Sequence, residues 1–487
     1  MNAIPDRGLE RLSQADALVI KIGGENALEF QSNYEQITAQ EKKQFVTISA
    51  LRNKDFNTTS KLIEVARLAN NSNPSALNIL EEIKQFHLQV IQEKVEAEYQ
   101  AGMVACIEEA FTEFEGTLTE LIETQGKVHK LGEDYLFTDS NGAHHSLTGF
   151  GEKIVERLYQ TYFELKGTTT NSLNDQEWMQ PILGEEPSEA LRLQRSMLQR
   201  LRRQFKSEVK RVLDSENKVT ITGGYKPGMA FRRSYTDLTA AEIARASSSL
   251  GVKTVLGVEK KDPILTADPR RIADRTKIQI VRRLGWKLAS ELFGIKGAQA
   301  GAVHPDVMDT LEGSGVDIVV YDPKNLAQGS TWISEDPEAY EDRKTIIATR
   351  NIPTTVVVRG SMGNATQVLA RITNAFRHFV QDQTYSSQNV WAVTINESVP
   401  PELIDRLTRQ LKRQYGKSFE VHVHEDLALV LAIGKSERNG YKDALNNQGI
   451  QTPFTNSVDE AESSGYVIPR DLVDLAVNTM HDQAYAA

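Results

Sequence analysis

The stretch Leu18-Val19-Ile20-Lys21-Ile22-Gly23-Gly24 decides the fold of this chain. It is a short apolar run with β-branched residues, it contains a single lysine, and it stops at a pair of glycines. This pattern is typical of a buried strand that leads into a loop. A second run of the same form spans residues 45–50, and polar segments with helical spacing follow, such as residues 59–68. Strands that alternate with helices predict a parallel α/β sheet.

Three further apolar runs extend this sheet, and each ends at a polar or glycine-containing loop. They span residues 219–222, 253–257 and 316–320. Long charged patterns with helical spacing, at residues 77–124 and 186–213, predict helices that flank the sheet. In open α/β sheets, ligands bind outside the carboxyl ends of the strands. We therefore expect one cleft, formed by the loops after Ile22, Ile48, Ile221 and Leu256.

The pattern changes after a polar, proline-containing stretch at residues 335–344, which we interpret as a linker. Short strands and helices then alternate. Strands are predicted at residues 354–359, 390–395 and 427–433, and helices at residues 367–379 and 401–415. Units of this kind are typical of ferredoxin-like modules, and the remaining chain has room for two. We predict one domain at residues 1–340 and a second region at residues 341–487.

Composition and charge exclude several classes of protein. The chain has 487 residues, with 56 Lys and Arg against 66 Asp and Glu, so its net charge of -10 disfavours non-specific nucleic-acid binding. Its one cysteine, Cys106, cannot form an internal disulfide and suits a reducing compartment. The sequence contains no run of 18 apolar residues, and acidic residues interrupt its first 18 positions. We expect a cytoplasmic protein with no membrane span.

Several motifs occur in the order found in one known family. The segment from Val19 to Gly24 resembles the opening lysine-glycine-glycine segment of amino acid kinases, and Phe150-Gly151-Glu152 resembles the substrate-binding segment of aspartate kinases. The segment from Arg233 to Ala241 resembles the arginine-glycine-glycine-serine-aspartate element of that family, and Thr266-Ala267-Asp268-Pro269-Arg270 resembles its nucleotide-side loop. The two C-terminal modules resemble paired ACT domains. The resemblance implies a three-layer α/β/α amino acid kinase sandwich followed by two ferredoxin-like ACT modules.

The activity implied by this resemblance is ATP-dependent phosphorylation of the β-carboxylate of L-aspartate to 4-phospho-L-aspartate, with Mg²⁺ as phosphate counter-ion. This reaction opens the biosynthesis of aspartate-family amino acids or of compatible solutes. Phosphoryl transfer depends chiefly on positioning and on positive charge. The acceptor carboxylate is ionised at neutral pH, so the reaction needs no general base. The residue types of the motifs therefore suit the chemistry.

The resemblance assigns the phosphate side of the cleft. It gives Lys21 the phosphate-bridging role, and the backbone N–H groups of Gly23 and Gly24 can approach phosphate oxygens because glycine has no Cβ. Asp237 would orient Lys21. Taken alone, these residues have simpler interpretations: a lysine before a Gly-Gly turn could be only a soluble turn, and Asp237 could cap the helix that follows.

The resemblance also assigns the acceptor side. Glu152 would accept from the α-ammonium group, and Arg233 would bind the α-carboxylate. The two could instead form a surface ion pair. Hydroxyl groups that could bind the substrate carboxylates belong to Ser49, Thr236 and either Thr58 or Thr59.

Contacts to the nucleotide are assigned to Lys260, Asp268 and Arg270, although paired lysines are often solvated and Asp268-Pro269-Arg270 could be a plain turn. Four features depart from the family pattern. They are Glu25-Asn26 after the glycine pair, Ser234 and Tyr235 in place of two glycines, Glu259-Lys260-Lys261 in place of threonine-aspartate-valine, and Gly301 in place of a lysine. Together they resemble a divergent branch of aspartate kinases associated with compatible-solute synthesis. Two alternatives stay open: a kinase of another small acid with the same fold, or an amino-acid sensor whose kinase activity has lapsed.

The ACT-like region implies allosteric control by a small amino acid, with lysine or threonine as the first effectors to test. The loop Ser361-Met362-Gly363-Asn364 is the candidate effector contact. ACT modules commonly pair across two chains, so we expect a homodimer or a higher homo-oligomer. The sequence predicts no metal site made by protein ligands alone.

Overall fold

The computed structural model describes most of the chain. It covers residues 6–485 apart from 125–127, 132–133, 139–143, 174–201, 204, 225–234, 295–302, 336–344, 360–380, 388–389, 396–399, 416–419, 435–437, 451, 453 and 457–462. The described residues leave out most of the predicted linker, the predicted helix at residues 367–379 and most of the charged helical pattern at residues 186–213. No helix among the described residues is long and apolar enough to cross a membrane.

The chain divides into two compact units. Unit 1 consists of Met1–Pro263 and Val303–Ala339, and unit 2 consists of Ile264–Ala302 and Tyr340–Ala487. The second segment of unit 2 begins near the place where the sequence pattern changes. Its first segment comes from the middle of the chain. The domain boundaries at residues 340 and 341 stay a prediction.

Secondary structure follows the predicted alternation of strands and helices. The strands are β1 (Ala17–Ile22), β2 (Lys43–Ile48), β3 (Val128–Leu131), β4 (Asp134–Thr138), β5 (His144–Ser146), β6 (Thr170–Asn171), β7 (Val219–Gly223), β8 (Thr254–Glu259), β9 (Arg283–Gly285), β10 (Asp317–Tyr321), β11 (Ser330–Ser334), β12 (Ile346–Arg359), β13 (Gln381–Ser387), β14 (Val390–Ile395), β15 (Glu420–Ile433), β16 (Phe454–Asn456) and β17 (Ser463–Pro469). The five strands predicted for the first domain are β1, β2, β7, β8 and β10, each within two residues of its predicted ends.

The helices are α1 (Arg7–Gln14), α2 (Phe30–Thr38), α3 (Thr58–Asn70), α4 (Ser75–Lys94), α5 (Ala97–Thr124), α6 (Phe150–Leu165), α7 (residues 205–213), α8 (Tyr235–Ser248), α9 (Trp286–Gly294), α10 (Pro305–Leu311), α11 (Pro401–Tyr415), α12 (Arg438–Asn447) and α13 (Val473–Tyr485). The helical pattern predicted at residues 77–124 is divided between α4 and α5. The helix predicted at residues 401–415 is present as α11 with the predicted ends.

A largely parallel sheet forms the centre of unit 1. Its strands lie in the order β6-β7-β2-β1-β8-β10-β11, and only β11 runs antiparallel to its neighbour. All six residues of β1 are buried, as in a strand that is covered on both faces. Leu18, Ile20 and Ile22 belong to a core that also contains apolar residues of α3, α4, α5 and α6. Because side chains alternate along a strand, Lys21 points to the other face, where α8 packs.

Unit 2 contains an antiparallel sheet with the strand order β13-β14-β12-β15-β17-β16. Strands β12 and β15 each have 14 residues, and they are longer than predicted because the prediction covered only their most apolar parts. The strands expected in two separate modules therefore join in one sheet. Helix α13 packs on β12 and β15, and its Val473, Ala476, Val477 and Met480 are buried in the core of this unit.

Candidate functional site

A cleft of about 430 Å³ opens at the carboxyl ends of the central strands of unit 1. The loops after β1, β2 and β8 line it together with the first turns of α3, α6 and α8, as expected for an open parallel sheet. The residues that line the cleft are Lys21, Gly23, Gly24, Glu25, Asn26, Ser49, Ala50, Arg52, Asn57, Thr59, Ser60, Ile63, Thr148, Glu152, Thr236, Asp237, Glu259, Lys260 and Lys261.

An ion pair lies at the centre of this cleft. Lys21 Nζ lies 3.0 Å from Asp237 Oδ1, and the two side chains are 8% and 16% exposed. Lys21 belongs to β1, whereas Asp237 lies in the first turn of α8, where the helix dipole favours a negative charge. Two residues more than 200 positions apart thus form one charged unit. The simpler interpretation, a lysine in a solvated turn, does not fit a side chain this buried.

The loops after β1 and β2 are held close together. The Arg52 amide donates to the Gly24 carbonyl at 3.3 Å, and the Ser49 amide donates to the Ile22 carbonyl at 3.1 Å. A Cβ on Gly24 would collide with the carbonyl oxygen of Ala50, whereas a Cβ on Gly23 would meet no protein atom within 4 Å. Gly24 therefore permits the close approach of the two loops, and Gly23 leaves open space in the cleft.

The part of the cleft that the resemblance assigns to the acceptor contains the start of α6 and two hydroxyl groups. Glu152 lies in the first turn of α6 and is 6% exposed, yet it lines the cleft. Ser49 Oγ lies 3.0 Å from Thr236 Oγ1, so the end of β2 and the start of α8 meet there. A Cβ on Gly224 would lie 2.7 Å from Thr236 Cα, so glycine is needed where β7 passes α8. A buried carboxylate and a pair of hydroxyl groups thus face the same space.

The structure distinguishes the two candidate threonines. Asn57 caps α3 by accepting a hydrogen bond from the Ser60 amide at 3.1 Å. Thr59 lines the cleft in the first turn of this helix. Thr58 is fully buried, and its hydroxyl has no hydrogen-bond partner among the described residues. Thr59 is thus placed to contact a ligand, whereas Thr58 packs below the surface of the cleft.

The end of β8 brings opposite charges to the cleft. Glu259 is 3% exposed, and burial raises its pKa to about 7, although Asn26, Gln36 and Lys21 act in the opposite direction. Burial also lowers the pKa of Lys260 to about 8; Lys21 lowers it further and Asp237 raises it. The resemblance assigned Lys260 to the nucleotide, and the structure places it in the cleft. Glu259 was noted only as a departure from the family pattern.

Other assigned residues lie elsewhere. Asp268 and Arg270 belong to unit 2 and form a bidentate pair with each other at 3.0 Å. Arg271, next to them, pairs with Asp474 of α13 at 2.7 Å. The Arg270 amide also donates to Asp268 Oδ1 at 2.9 Å, as in a local turn, and the assignment of both residues to the nucleotide stays a prediction. Arg233 and the loop Ser361-Met362-Gly363-Asn364 lie outside the described residues.

Several residues that line the cleft were not among the predicted site residues. The most polar of them are Glu25, Asn26, Arg52, Asn57, Ser60, Glu259 and Lys261. Two features of the sequence could have identified Asn57 and Glu259 as cleft residues. Asn57 directly precedes a segment with helical spacing, as an N-cap does, and Glu259 ends a buried strand of a parallel sheet.

The carboxylates of the cleft do not suggest a metal site made by protein alone. Within the described part of the chain, no group of three or more His, Cys, Asp or Glu side chains is arranged to hold a metal ion. Asp237 is paired with Lys21, and Glu259 accepts a hydrogen bond at 3.3 Å from Gln36 Nε2.

The sequence model of the amino acid kinase family matches residues 16–322, which is more than half of the chain. A curated relative, aspartate kinase Ask_Ect from Stutzerimonas stutzeri (strain A1501), is 27% identical over 209 residues. This match covers 42% of the present chain and 41% of the relative, so it spans less than half the length of either protein.

Solved structures share the fold over nearly the whole chain. Clostridium acetobutylicum aspartate kinase has a TM-score of 0.65 at 16% identity, and the match covers 97% of this chain and 100% of that one. E. coli aspartokinase III in complex with aspartate and ADP has a TM-score of 0.62 at 17% identity, covering 96% and 100%. The same E. coli protein with lysine and aspartate has a TM-score of 0.61 at 16% identity, covering 97% and 100%. The mixed α/β unit and the antiparallel unit thus have the architecture of these enzymes.

Proposed function

Because the chain belongs to the amino acid kinase family, we propose that it transfers the γ-phosphoryl group of ATP to the side-chain carboxylate of L-aspartate. The observation that carries this proposal is the Lys21–Asp237 pair, 3.0 Å apart in a cleft that also contains Glu152 and a cluster of hydroxyl groups. The Stutzerimonas relative is named an aspartate kinase, and the E. coli structure contains aspartate and ADP. Both support this choice of substrates.

On the phosphate side, the chain supplies positive charge and open backbone. Lys21 neutralises phosphate oxygens, and Asp237 fixes the position of its ammonium group. Gly23 leaves room for a phosphate to approach the backbone, and Lys260 adds a second cation at the end of β8. Mg²⁺ is the counter-ion of the nucleotide phosphates, and it supplies further positive charge to the transferring group.

On the acceptor side, Glu152 accepts hydrogen bonds from the α-ammonium group of aspartate, and Arg233 binds its α-carboxylate. Ser49, Thr59 and Thr236 offer hydroxyl groups to the substrate carboxylates. The β-carboxylate is already ionised, so one of its oxygens attacks the γ-phosphorus directly while the bond to the β-phosphate oxygen breaks. The protein contributes by holding two anions in line for this step.

The C-terminal residues 341–487 form the regulatory part of this proposal, and residues 1–340 form the catalytic part. Lysine is the first effector to test because the E. coli enzyme was solved with lysine and aspartate, and threonine is the second. The loop Ser361-Met362-Gly363-Asn364 is the proposed effector contact, and the proposed assembly is a homodimer or a higher homo-oligomer. Effector binding would alter turnover by the difference in affinity between two states, typically about 1–3 kcal/mol.

A trapping assay tests the proposed reaction. The purified full chain is incubated with MgATP and a panel of small acids, including L-aspartate, L-glutamate and N-acetyl-L-glutamate, and hydroxylamine converts any acyl phosphate to a coloured hydroxamate. We expect hydroxamate with L-aspartate. Product only with another acid would move the assignment to a kinase of that acid. No product with any acid, together with clear binding of lysine or threonine, would favour the amino-acid sensor.

A further inference from the structure

Glu259 is the buried ionisable group in the cleft that the proposed reaction does not use. It ends β8, is 3% exposed and lines the cleft beside the loop that contains Gly23 and Gly24. Its Oε1 accepts a hydrogen bond from Gln36 Nε2 at 3.3 Å, whereas its Oε2 has no hydrogen-bond partner among the residues that the structure describes. A buried polar atom without a partner is destabilising, so a ligand atom that pairs with it gains affinity.

The groups around Glu259 do not balance a negative charge there. Gln36 Nε2 of α2 donates one hydrogen bond to Glu259 Oε1 at 3.3 Å and a second to the Tyr321 hydroxyl at 3.2 Å. The Asn26 side chain lies near enough to lower the pKa of Glu259, without meeting the geometry of a hydrogen bond to Oε2. Lys21 of β1 attracts a negative charge at Glu259, but its ammonium group is already paired with Asp237.

The remaining charged and titratable neighbours act in different directions. Asp322, directly after β10, opposes ionisation of Glu259. The hydroxyls of Tyr159 and Tyr321 have raised pKa values because they are buried, so they stay neutral. On the same strand end, Lys260 and Lys261 line the cleft, and their positive charges favour the ionised form of Glu259. Burial, which outweighs the attraction of nearby cations, is the main reason that the pKa of Glu259 is raised. Glu259 thus titrates near neutral pH, where a protonated carboxyl group has one O–H donor.

We infer that Glu259 contacts the nucleotide as a neutral carboxylic acid, donating a hydrogen bond from Oε2–H to a phosphate oxygen, so that nucleotide binding takes up a proton. Phosphate oxygens are acceptors only, so an ionised Glu259 would repel them, whereas the acid form is complementary. The proton comes from solvent when the nucleotide binds and returns to solvent when it leaves. This inference rests on the proposed function, because it requires a nucleotide in this cleft.

Calorimetric titration of the full chain with MgADP, between pH 6 and pH 8.5, tests the inference. Each titration is repeated in two buffers with different ionisation enthalpies, so the number of protons taken up is measured directly. We expect uptake of up to one proton in the wild type and a loss of affinity that approaches tenfold per pH unit above pH 7. The Glu259→Gln variant keeps a neutral donor, so we expect binding with little proton uptake and a flatter pH profile between pH 7 and pH 8.

Two further variants separate Glu259 from other sources of the same signal. Glu25→Gln removes an exposed carboxylate that also lines the cleft; we expect its affinity to rise a few-fold with the proton uptake unchanged. Lys260→Met removes the neighbouring cation, which also titrates near pH 8, and uptake near pH 7 should persist. Equal uptake in the wild type and Glu259→Gln, or uptake that disappears only in Lys260→Met, overturns the inference. Absence of MgADP binding at every pH overturns the proposed function, and this inference with it.

If Glu259→Gln does not fold, the wild type and Lys260→Met decide the question. Uptake of about half a proton at pH 7, rising toward one proton at higher pH, in both proteins supports Glu259 as its source. No uptake by a wild type that binds MgADP contradicts the inference and leaves the proposed function in place.

Discussion

Lys21 and Glu259 lie at the ends of two neighbouring strands, and of the two only Lys21 has an oppositely charged side chain in salt-bridge contact among the described residues. Lys21 of β1 is in register with Val258, the residue directly before Glu259 on β8. Both side chains are less than one-tenth exposed. Lys21 is matched by Asp237 at 3.0 Å, whereas Glu259 has no cation in salt-bridge contact among the described residues and has a pKa raised to about 7. A buried charge is tolerated when it is paired, and otherwise the group becomes neutral.

This difference indicates separate tasks for the two residues. The Lys21–Asp237 pair provides a fixed positive charge, as is needed where negative charge develops during phosphoryl transfer. Glu259 provides a group whose charge depends on pH and on its neighbours. Each of the following experiments alters one side of this comparison.

The largest expected effect is that of Lys21→Ala. Loss of the cation that offsets phosphate charge should lower turnover by about 10³-fold or more, equivalent to roughly 4 kcal/mol of transition-state stabilisation. The hydroxamate assay with L-aspartate measures turnover, and circular dichroism with thermal melting checks that the fold is retained.

Lys61→Ala is the matched control for that experiment. Lys61 forms an ion pair with Glu82 at 2.9 Å, a distance like that of Lys21 and Asp237, but it is 34% exposed and does not line the cleft. Surface pairs contribute about 0–1 kcal/mol, so its turnover should stay within twofold of the wild type. Similar turnover in Lys21→Ala and the wild type would refute the role assigned to Lys21.

The second largest effect is on stability, through Glu259. Its pKa is raised from 4.5 in the unfolded chain to about 7 in the folded protein, so between these values the folded state binds more protons than the unfolded state. The stability contributed by the protonated form is therefore complete below pH 4.5 and is lost as the pH rises through 7. Above pH 7 the cost reaches about 3 kcal/mol. Glu259→Gln should be more stable than the wild type at pH 8 by about this amount, less the effect of the amide itself.

Urea unfolding at pH 5, 6, 7 and 8 measures this difference. The gain of Glu259→Gln over the wild type should grow with pH and level off near pH 8. Glu25→Gln, which removes a carboxylate of high exposure, should show no such growth. If the free energies of unfolding of the wild type and Glu259→Gln changed in parallel with pH, the raised pKa of Glu259 would be contradicted.

The sequence predicted the position of Lys21 in the cleft, whereas it did not predict the surroundings of Glu259. The strand that carries Lys21 is visible as an apolar run, and Glu152 and Asp237 lie in motifs that resemble a known family. These motifs made Lys21, Glu152 and Asp237 recognisable in the sequence. In the structure, all three line one cleft. The glycine pair after β1 was equally visible, although only the structure shows which glycine permits the close approach of two loops.

The environment of Glu259 was not predictable because it depends on distant residues. Its hydrogen bond to Gln36 joins positions 223 residues apart, and Tyr321 and Asp322 lie at the end of β10 and directly after it. In the sequence, Glu259 is one charged residue in a polar loop. Likewise, the full lengths of β12 and β15 arise from pairing with each other, which extends both strands beyond their apolar parts.

The two glycines after β1 provide a third test. In Gly24→Ala, the new methyl group would collide with a backbone carbonyl oxygen, so we expect a loss of stability of about 1–3 kcal/mol. In Gly23→Ala, the methyl group meets no protein atom within 4 Å, so stability should be unchanged or slightly higher. Gly23→Ala should instead weaken MgADP binding, because the methyl group occupies space in the cleft. Thermal melting and calorimetry on both variants measure these opposite outcomes, and equal destabilisation of both would refute the distinction.

The smallest expected effects distinguish Thr58 from Thr59, which the sequence could not separate. Thr59→Val removes a hydroxyl that lines the cleft, so the KM for L-aspartate should rise about fivefold, the value of one hydrogen bond, with kcat nearly unchanged. Thr58→Val replaces a buried hydroxyl that has no partner among the described residues, so it should leave KM unchanged and raise stability slightly. Steady-state kinetics and melting on the pair decide between them: a change in KM for Thr58→Val with none for Thr59→Val would show that Thr58 faces the acceptor.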